Sequence, residues 1–165
     1  MMSLFFSGKE VVDMALRIEA NGLAFYRTAL TRVKDPSIKA AYQHMAVEEE
    51  RHAREFGRLM TSQADAPNTP GAAQELSEYL SALIDSRIFV DEAGAKAGAL
   101  GFRTDAEAVE MGMRMESETI LFFTEVRDLV RRDDQEVLDS ILIEERDHLR
   151  RLSLLRKELL GMKGG

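Results

Sequence analysis

Two short runs in this chain, Glu49-Glu50-Arg51-His52 and Glu145-Arg146-Asp147-His148, each contain Glu-x-x-His, and each follows an earlier glutamate, Glu19 or Glu116, by nearly the same distance. Carboxylates and imidazoles are oxygen and nitrogen donors suited to divalent transition metals. Residues three apart in a helix project from neighbouring turns into one volume, so each pair can offer a carboxylate and an imidazole to a common ion. Four carboxylates and two imidazoles in two matched sets point to a site for two metals.

The sets belong to an internal repeat. Ile18 to Tyr26 aligns with Met115 to Phe123 at an offset of 97, whereas Glu49 and His52 align with Glu145 and His148 at an offset of 96. One residue is missing from the second half, most simply at the turn between its helices. Repetition of one helix pair implies a pseudo-two-fold architecture.

The elements that carry these residues are helices. With 165 residues, 45% of them hydrophobic, the chain is expected to form a single domain over residues 1–165. Three prolines, no tryptophan and abundant Ala, Leu, Glu, Met and Arg indicate an all-α fold. The absence of cysteine excludes disulfides, thiolate ligands, iron-sulfur clusters and cysteine nucleophiles within this sequence. A net charge of -7, with no segment that concentrates positive charge, argues against a nucleic-acid or anionic-membrane partner. Met1 to Ser7 is too short for the apolar region of a signal peptide and no apolar run approaches a membrane span, so a cytoplasmic location is expected.

Ser7 and Glu10 make a capping box for a first helix over about Gly8 to Lys34, and Asp35-Pro36 stops it and starts a second, which runs to about Thr61. Ser62 to Ala72 reads as a loop, Ala73 to Ile84 as a short helix, and the glycine-interrupted stretch from Ala93 to Leu100 as a turn or two of connecting helix. Thr104 and Glu107 open a third long helix to about Arg131, and Asp133 caps a fourth that ends near Leu160. Two short turns make two antiparallel pairs, and residues 62–103 form a long crossover between helices 2 and 3, giving a four-helix bundle.

The apolar stripes read Val12, Ala15, Glu19, Gly22, Tyr26, Ala29, Val33 on the first helix and Ile38, Tyr42, Met45, Glu49, His52, Phe56, Leu59 on the second. On the third and fourth they read Val109, Met113, Glu116, Ile120, Phe123 and Leu138, Ile141, Glu145, His148, Leu152, Leu155. Each is interrupted only at its middle, by Glu or by Glu with His. An unpaired carboxylate there would cost several kcal/mol or take up a proton, so four converging ones call for positive charge between them. A lone Glu-x-x-His is ordinarily a solvated helix face; two in matched repeats, each with a partner Glu on the preceding helix, are not.

Glu48, Glu50 and Glu144 fall beside the stripes and read as surface charges, and His44 reads as a partly exposed histidine. Tyr26, two turns after Glu19, either hydrogen-bonds a ligand or passes an electron, or is a core tyrosine with a satisfied hydroxyl; the repeat sets Phe123 opposite it. The nine methionines read as core filler.

Glu-x6-Tyr on the first helix, followed by Glu-x-x-His, Glu and Glu-x-x-His, resembles the ferritin-like di-iron carboxylate family. Within it, the run from Glu48 to Phe56 is most similar to rubrerythrin. The resemblance covers the four bundle helices and implies Glu19, Glu49, His52, Glu116, Glu145 and His148 as ligands of two iron ions, with manganese or zinc as substitutes and with Glu49 and Glu145 as bridges. Two departures stand out. Rubrerythrins usually carry a C-terminal rubredoxin with a four-cysteine iron site, for which this sequence has neither cysteines nor length, and they place an extra Glu where Thr119 stands here. The remaining six-ligand set is closer to that of bacterioferritin.

The function so implied is reduction of hydrogen peroxide or dioxygen by a di-iron oxidoreductase, re-reduced by a separate electron-donor protein and expected to be a homodimer. The alternatives are a ferroxidase that handles Fe(II), a dimanganese catalase, or a non-catalytic metal-binding bundle.

Overall fold

The computed structural model describes residues 8–63, 74–130 and 132–161, and among them the chain is all-helical. Helices α1 (Gly8–Ala29) and α2 (Pro36–Gln63) pack as one antiparallel pair, and α5 (Asp105–Val126) and α6 (Gln135–Leu159) as the other. The pairs meet through α2 with α6 and α1 with α5, while α3 (Gln74–Asp85) and α4 (Glu92–Gly101) lie in the long crossover. This is the expected four-helix bundle. The expected Ser7 cap, and the expected loop from residue 64 on, lie outside the described residues; Ser62 and Gln63 belong to α2.

The turns are longer than the sequence pattern suggests, because α1 and α5 end about five residues early. Helix α1 stops at Ala29, because the backbone N–H groups of Lys34 and Asp35 donate to the Asp105 carboxylate at 2.7–3.1 Å, pulling the chain out of helical register. Asp35 in turn accepts from Ser37 N at 2.8 Å and Ile38 N at 3.2 Å, capping α2 with Pro36 at its first position. Helix α5 ends at Val126, the repeat counterpart of Ala29, and gives way to a 3-10 turn over Arg127–Leu129. Arg127 grips Asp139 at the start of α6 with two hydrogen bonds of 2.5 and 2.7 Å, closing this second turn. Asp134 rather than Asp133 occupies the N-cap of α6. At the head of α5, Thr104 Oγ1 accepts from Glu107 N at 3.1 Å, and Glu107 reaches back to Arg103 N at 2.7 Å, a capping box displaced by one residue.

The apolar interior falls into two clusters. One gathers Phe25, Tyr26, Tyr42, Met45, Val109 and Leu152; the other gathers Val12, Phe56, Phe122, Phe123, Leu138 and Ile141. The polar midpoints of the four stripes lie between them. The stripes of α1, α2 and α6 are buried as read, except that Leu155 is half-buried. On α5 the buried face is turned: Gly112, Met115, Thr119 and Phe122 are buried, whereas Met113 and Ile120 are half-buried. Helix α5 packs against α3 as well as α1 and α6, so more than one stripe is covered.

The crossover is more than a connection. Helix α4 lies along α1 with Ala95 and Ala99 in the core, and Phe89 enters the same cluster, stacked on Phe25 at 5.5 Å. Gly98 is what admits that ring, because a Cβ there would stand 2.6 Å from Phe89 Cζ. No helix among the described residues is long and apolar enough to cross a membrane.

Overpacking of this kind typically costs about 1–3 kcal/mol. Gly98→Val is therefore expected to lower the thermal unfolding midpoint, whereas Gly57→Ala, at an open helical position, is expected to raise it slightly. Equal midpoints for the two variants, measured by circular dichroism, would contradict this role for Gly98.

Candidate metal centre

Glu19 on α1, Glu49 and His52 on α2, Glu116 on α5, and Glu145 and His148 on α6 converge in the polar layer, none more than 4% exposed. Their donor atoms form two overlapping groups: Glu19, Glu49, His52 and Glu145 in one, and Glu49, Glu116, Glu145 and His148 in the other, with all atoms of a group within 4.8 Å of one another. Glu49 and Glu145 are common to both. The stacked imidazoles lie with ring centroids 6.2 Å apart.

The two histidines have the same orientation. His52 Nδ1 faces Glu145 Oε1 at 2.9 Å and Glu19 Oε2 at 3.3 Å, and His148 Nδ1 faces Glu145 Oε2 at 3.2 Å and Glu116 Oε1 at 3.6 Å. Each Nε2 points away from the cluster to a carboxylate of the other helix: His52 to Glu144 at 2.7 Å, and His148 to Glu48 at 2.6 Å. Glu48 and Glu144 are thus not the surface charges that their positions beside the stripes suggest. Their side chains are 20% and 31% exposed, and each fixes the tautomer and angle of a histidine. The offset of 96 that relates the Glu-x-x-His motifs relates these two as well, a signal present in the sequence but not one that burial pattern alone reveals. Glu50 is 48% exposed and pairs with Arg27, as a surface charge. His44 is 42% exposed, as expected, and meets Glu48 at 2.9 Å.

Tyr26 donates its hydroxyl to Glu116 Oε1 across the bundle and packs edge-on against Tyr42, with ring centroids 4.9 Å apart. The core reading of this tyrosine holds, since it is wholly buried with its hydroxyl satisfied, and the residue that satisfies it is Glu116 of the cluster. Gly22 leaves the room that Glu49 occupies: a Cβ there would lie 2.9 Å from its Cδ and from Oε2. A glycine in mid-helix costs about 1 kcal/mol relative to alanine, and its place one turn after Glu19 was the available clue.

The charge balance explains why the layer is polar and yet closed. Burial pushes the carboxyls of Glu19 and Glu49 well above their usual range, reinforced for Glu19 by the charge of Glu145 and for Glu49 by that of Glu19. Burial and the charge of Glu145 push Glu116 up to about 7. Glu145 goes the other way: burial opposes its charge, but hydrogen bonds from His148 and His52 hold it well below the usual range. Burial likewise opposes charge on the histidines, and their carboxylate partners prevail, pushing His52 up to about 9 and His148 to about 12.

These residues suit a pair of divalent ions. Ligands about 2.1 Å from one ion lie at most about 4.2 Å apart, so a group within 4.8 Å closes on an ion with small movements. Both Nδ1 atoms face inward, and Glu19 Oε1 makes no hydrogen bond among the described residues.

An all-helical bundle with this carboxylate and imidazole cluster at its centre defines a ferritin-like protein. The family model described as Rubrerythrin matches residues 10–156, and the chain belongs to the rubrerythrin family. That family implies di-iron binding. No curated protein and no solved structure matches the chain.

The raised histidines set the sign of a pH effect. From an ordinary 6.5, His52 rises to about 9 and His148 to about 12 on folding, so the stability they contribute is full below 6.5 and is lost as pH climbs through about 9. Glu19 and Glu49, raised as well, act in the same direction once the unfolded chain ionises. The metal-free chain is therefore expected to be less stable at pH 9 than at pH 6.5, by on the order of a few kcal/mol, and so to unfold at a lower temperature. A midpoint that holds or rises over that interval would contradict the charge assignment.

Proposed function

We propose that this protein is a di-iron oxidoreductase that reduces hydrogen peroxide, and more slowly dioxygen, with electrons from a separate donor protein. The sharing of Glu49 and Glu145 between two ligand groups carries the reading, because two ions held by one cluster could each give an electron to the same peroxide. Glu19 and His52 would complete one ion's set, and Glu116 and His148 the other's.

Reduction of hydrogen peroxide breaks its O–O bond and takes two electrons and two protons to give two waters. Two ferrous ions held by these residues would supply the electrons, one each. The chain's part is positional and electrostatic. Glu48 and Glu144 hold the histidine Nε2–H groups and so leave each Nδ1 free to face inward. Tyr26 fixes Glu116 through its hydroxyl, and the apolar clusters on either side keep bulk water from the layer. Zero cysteines mean that the returning electrons come from outside this sequence, and a homodimer in the cytoplasm is the setting we propose.

The test loads the full chain anaerobically with Fe(II) and supplies a chemical reductant together with hydrogen peroxide or dioxygen. Repeated turnover, faster with peroxide, is expected; Glu49→Ala combined with Glu145→Ala should reduce it by at least about a hundredfold. A single turnover in excess reductant would overturn the proposal. Oxidation of added Fe(II) by dioxygen far beyond the bound ions would replace it with ferroxidase-type iron handling.

A further inference from the structure

Beside the polar layer, bounded by α1, the end of α3 and the segment leading to α4, lies a second feature that the di-iron reading leaves unused. It is a cavity of about 320 Å³ walled by Met14, Ile18, Ile84 and Phe89, with Asn21 and Arg87 as its inner polar groups. The exposed Arg17, Asp85 and Val90 stand at its rim, so it opens to solvent, with the one acid facing water rather than the interior.

Arg87 is the unusual member. It is 8% exposed, the only buried arginine or lysine among the described residues. Its Nη2 donates to Thr119 Oγ1 at 3.1 Å, but Nε and Nη1 meet no acceptor among the described residues. Glu118, the carboxylate that attracts it most, is not bonded to it: Glu118 accepts from Ile88 N at 2.9 Å and from Arg114 Nε at 3.1 Å. Asn21 donates to the Phe89 carbonyl at 3.2 Å, which fixes the wall and leaves the guanidinium as the cavity's buried cationic group.

A buried guanidinium with unmet donors is costly unless an anion joins it. Glu118 and, more weakly, Glu19, Glu116 and Glu49 attract it through space, but none of them meets its Nε or Nη1. Thr119 lies one helical turn after Glu116, so whatever Arg87 holds sits next to the centre.

We propose that this cavity binds a carboxylate with a medium-length aliphatic tail, the unmet N–H groups of Arg87 taking the carboxylate and the four apolar side chains taking the tail. At roughly 30 Å³ for each non-hydrogen atom, the volume suits a ligand of about ten such atoms, the size of octanoate. The position of the ligand next to a redox centre rests on the di-iron reading; the binding itself does not.

Calorimetric titration of the full chain with sodium octanoate and with 1-octanol tests this without peroxide or reductant, so failed peroxide turnover would leave its outcome standing, and failed binding would leave the metal centre standing. We expect octanoate to bind at one per chain and octanol at least about tenfold more weakly, the loss that one charged hydrogen-bonding group brings. Arg87→Met should weaken octanoate by at least about the same factor. Ser81→Trp, which fills the cavity and keeps the arginine, should abolish binding, and it decides the matter alone if the Arg87 variant does not fold. No octanoate binding, equal binding of octanol, or binding unchanged in either folded variant would overturn the proposal.

Discussion

Four glutamates share one dry layer, and they can do so only if positive charge lies among them. Without metal, protons fill that role: Glu19 and Glu49 are held neutral by burial, and His52 and His148 are held cationic by the carboxylates they face. The other features of the bundle follow from this constraint. The apolar core is split in two to accommodate the layer, Gly22 gives up a side chain so that Glu49 can enter, and both imidazoles turn Nδ1 inward. A cluster held together by exchangeable protons is one that divalent ions can take over, since metal and proton compete for the same oxygen and nitrogen atoms.

The repeat is strict at the ligands and loose around them. Glu48 and Glu144 cross from α2 to α6 and from α6 to α2, so each half of the chain orients the other half's histidine. Elsewhere the halves diverge. Tyr26 donates to Glu116, while its counterpart Phe123 packs against Phe56 and has no hydroxyl to offer Glu19. Gly22 corresponds to Thr119, which receives Arg87 from the crossover instead of making room for a carboxylate. Two equivalent sets of candidate ligands thus sit in inequivalent surroundings, which would make ions held at the two positions differ in reactivity.

Much of this was legible from residue spacing. Helical periodicity is a local property, so the four long helices, their polar midpoints and the convergence of six charged residues could be read before any coordinates. What stayed hidden was what depends on contacts between distant segments. Asp105, seventy residues away in the chain, ends α1 by binding Lys34 and Asp35, and no pattern near Lys34 announces it. Glu48 and Glu144 looked like surface charges because one helix at a time they do lie beside the stripe; only the packing of α2 on α6 brings them to the histidines. Arg87 and Phe89 belong to a crossover whose glycines obscured its helix, although Gly98 is the residue that lets the crossover join the core.

The central claim is that the layer is a two-ion site whose protons give way to metal. It is tested most directly by titrating the metal-free chain with Fe(II), anaerobically and in weakly buffered solution near pH 7, counting both the ions bound and the protons released. The account predicts saturation at about two ions per chain with protons released on binding of each. Saturation at one ion or none, or binding of two with no release of protons, would contradict it.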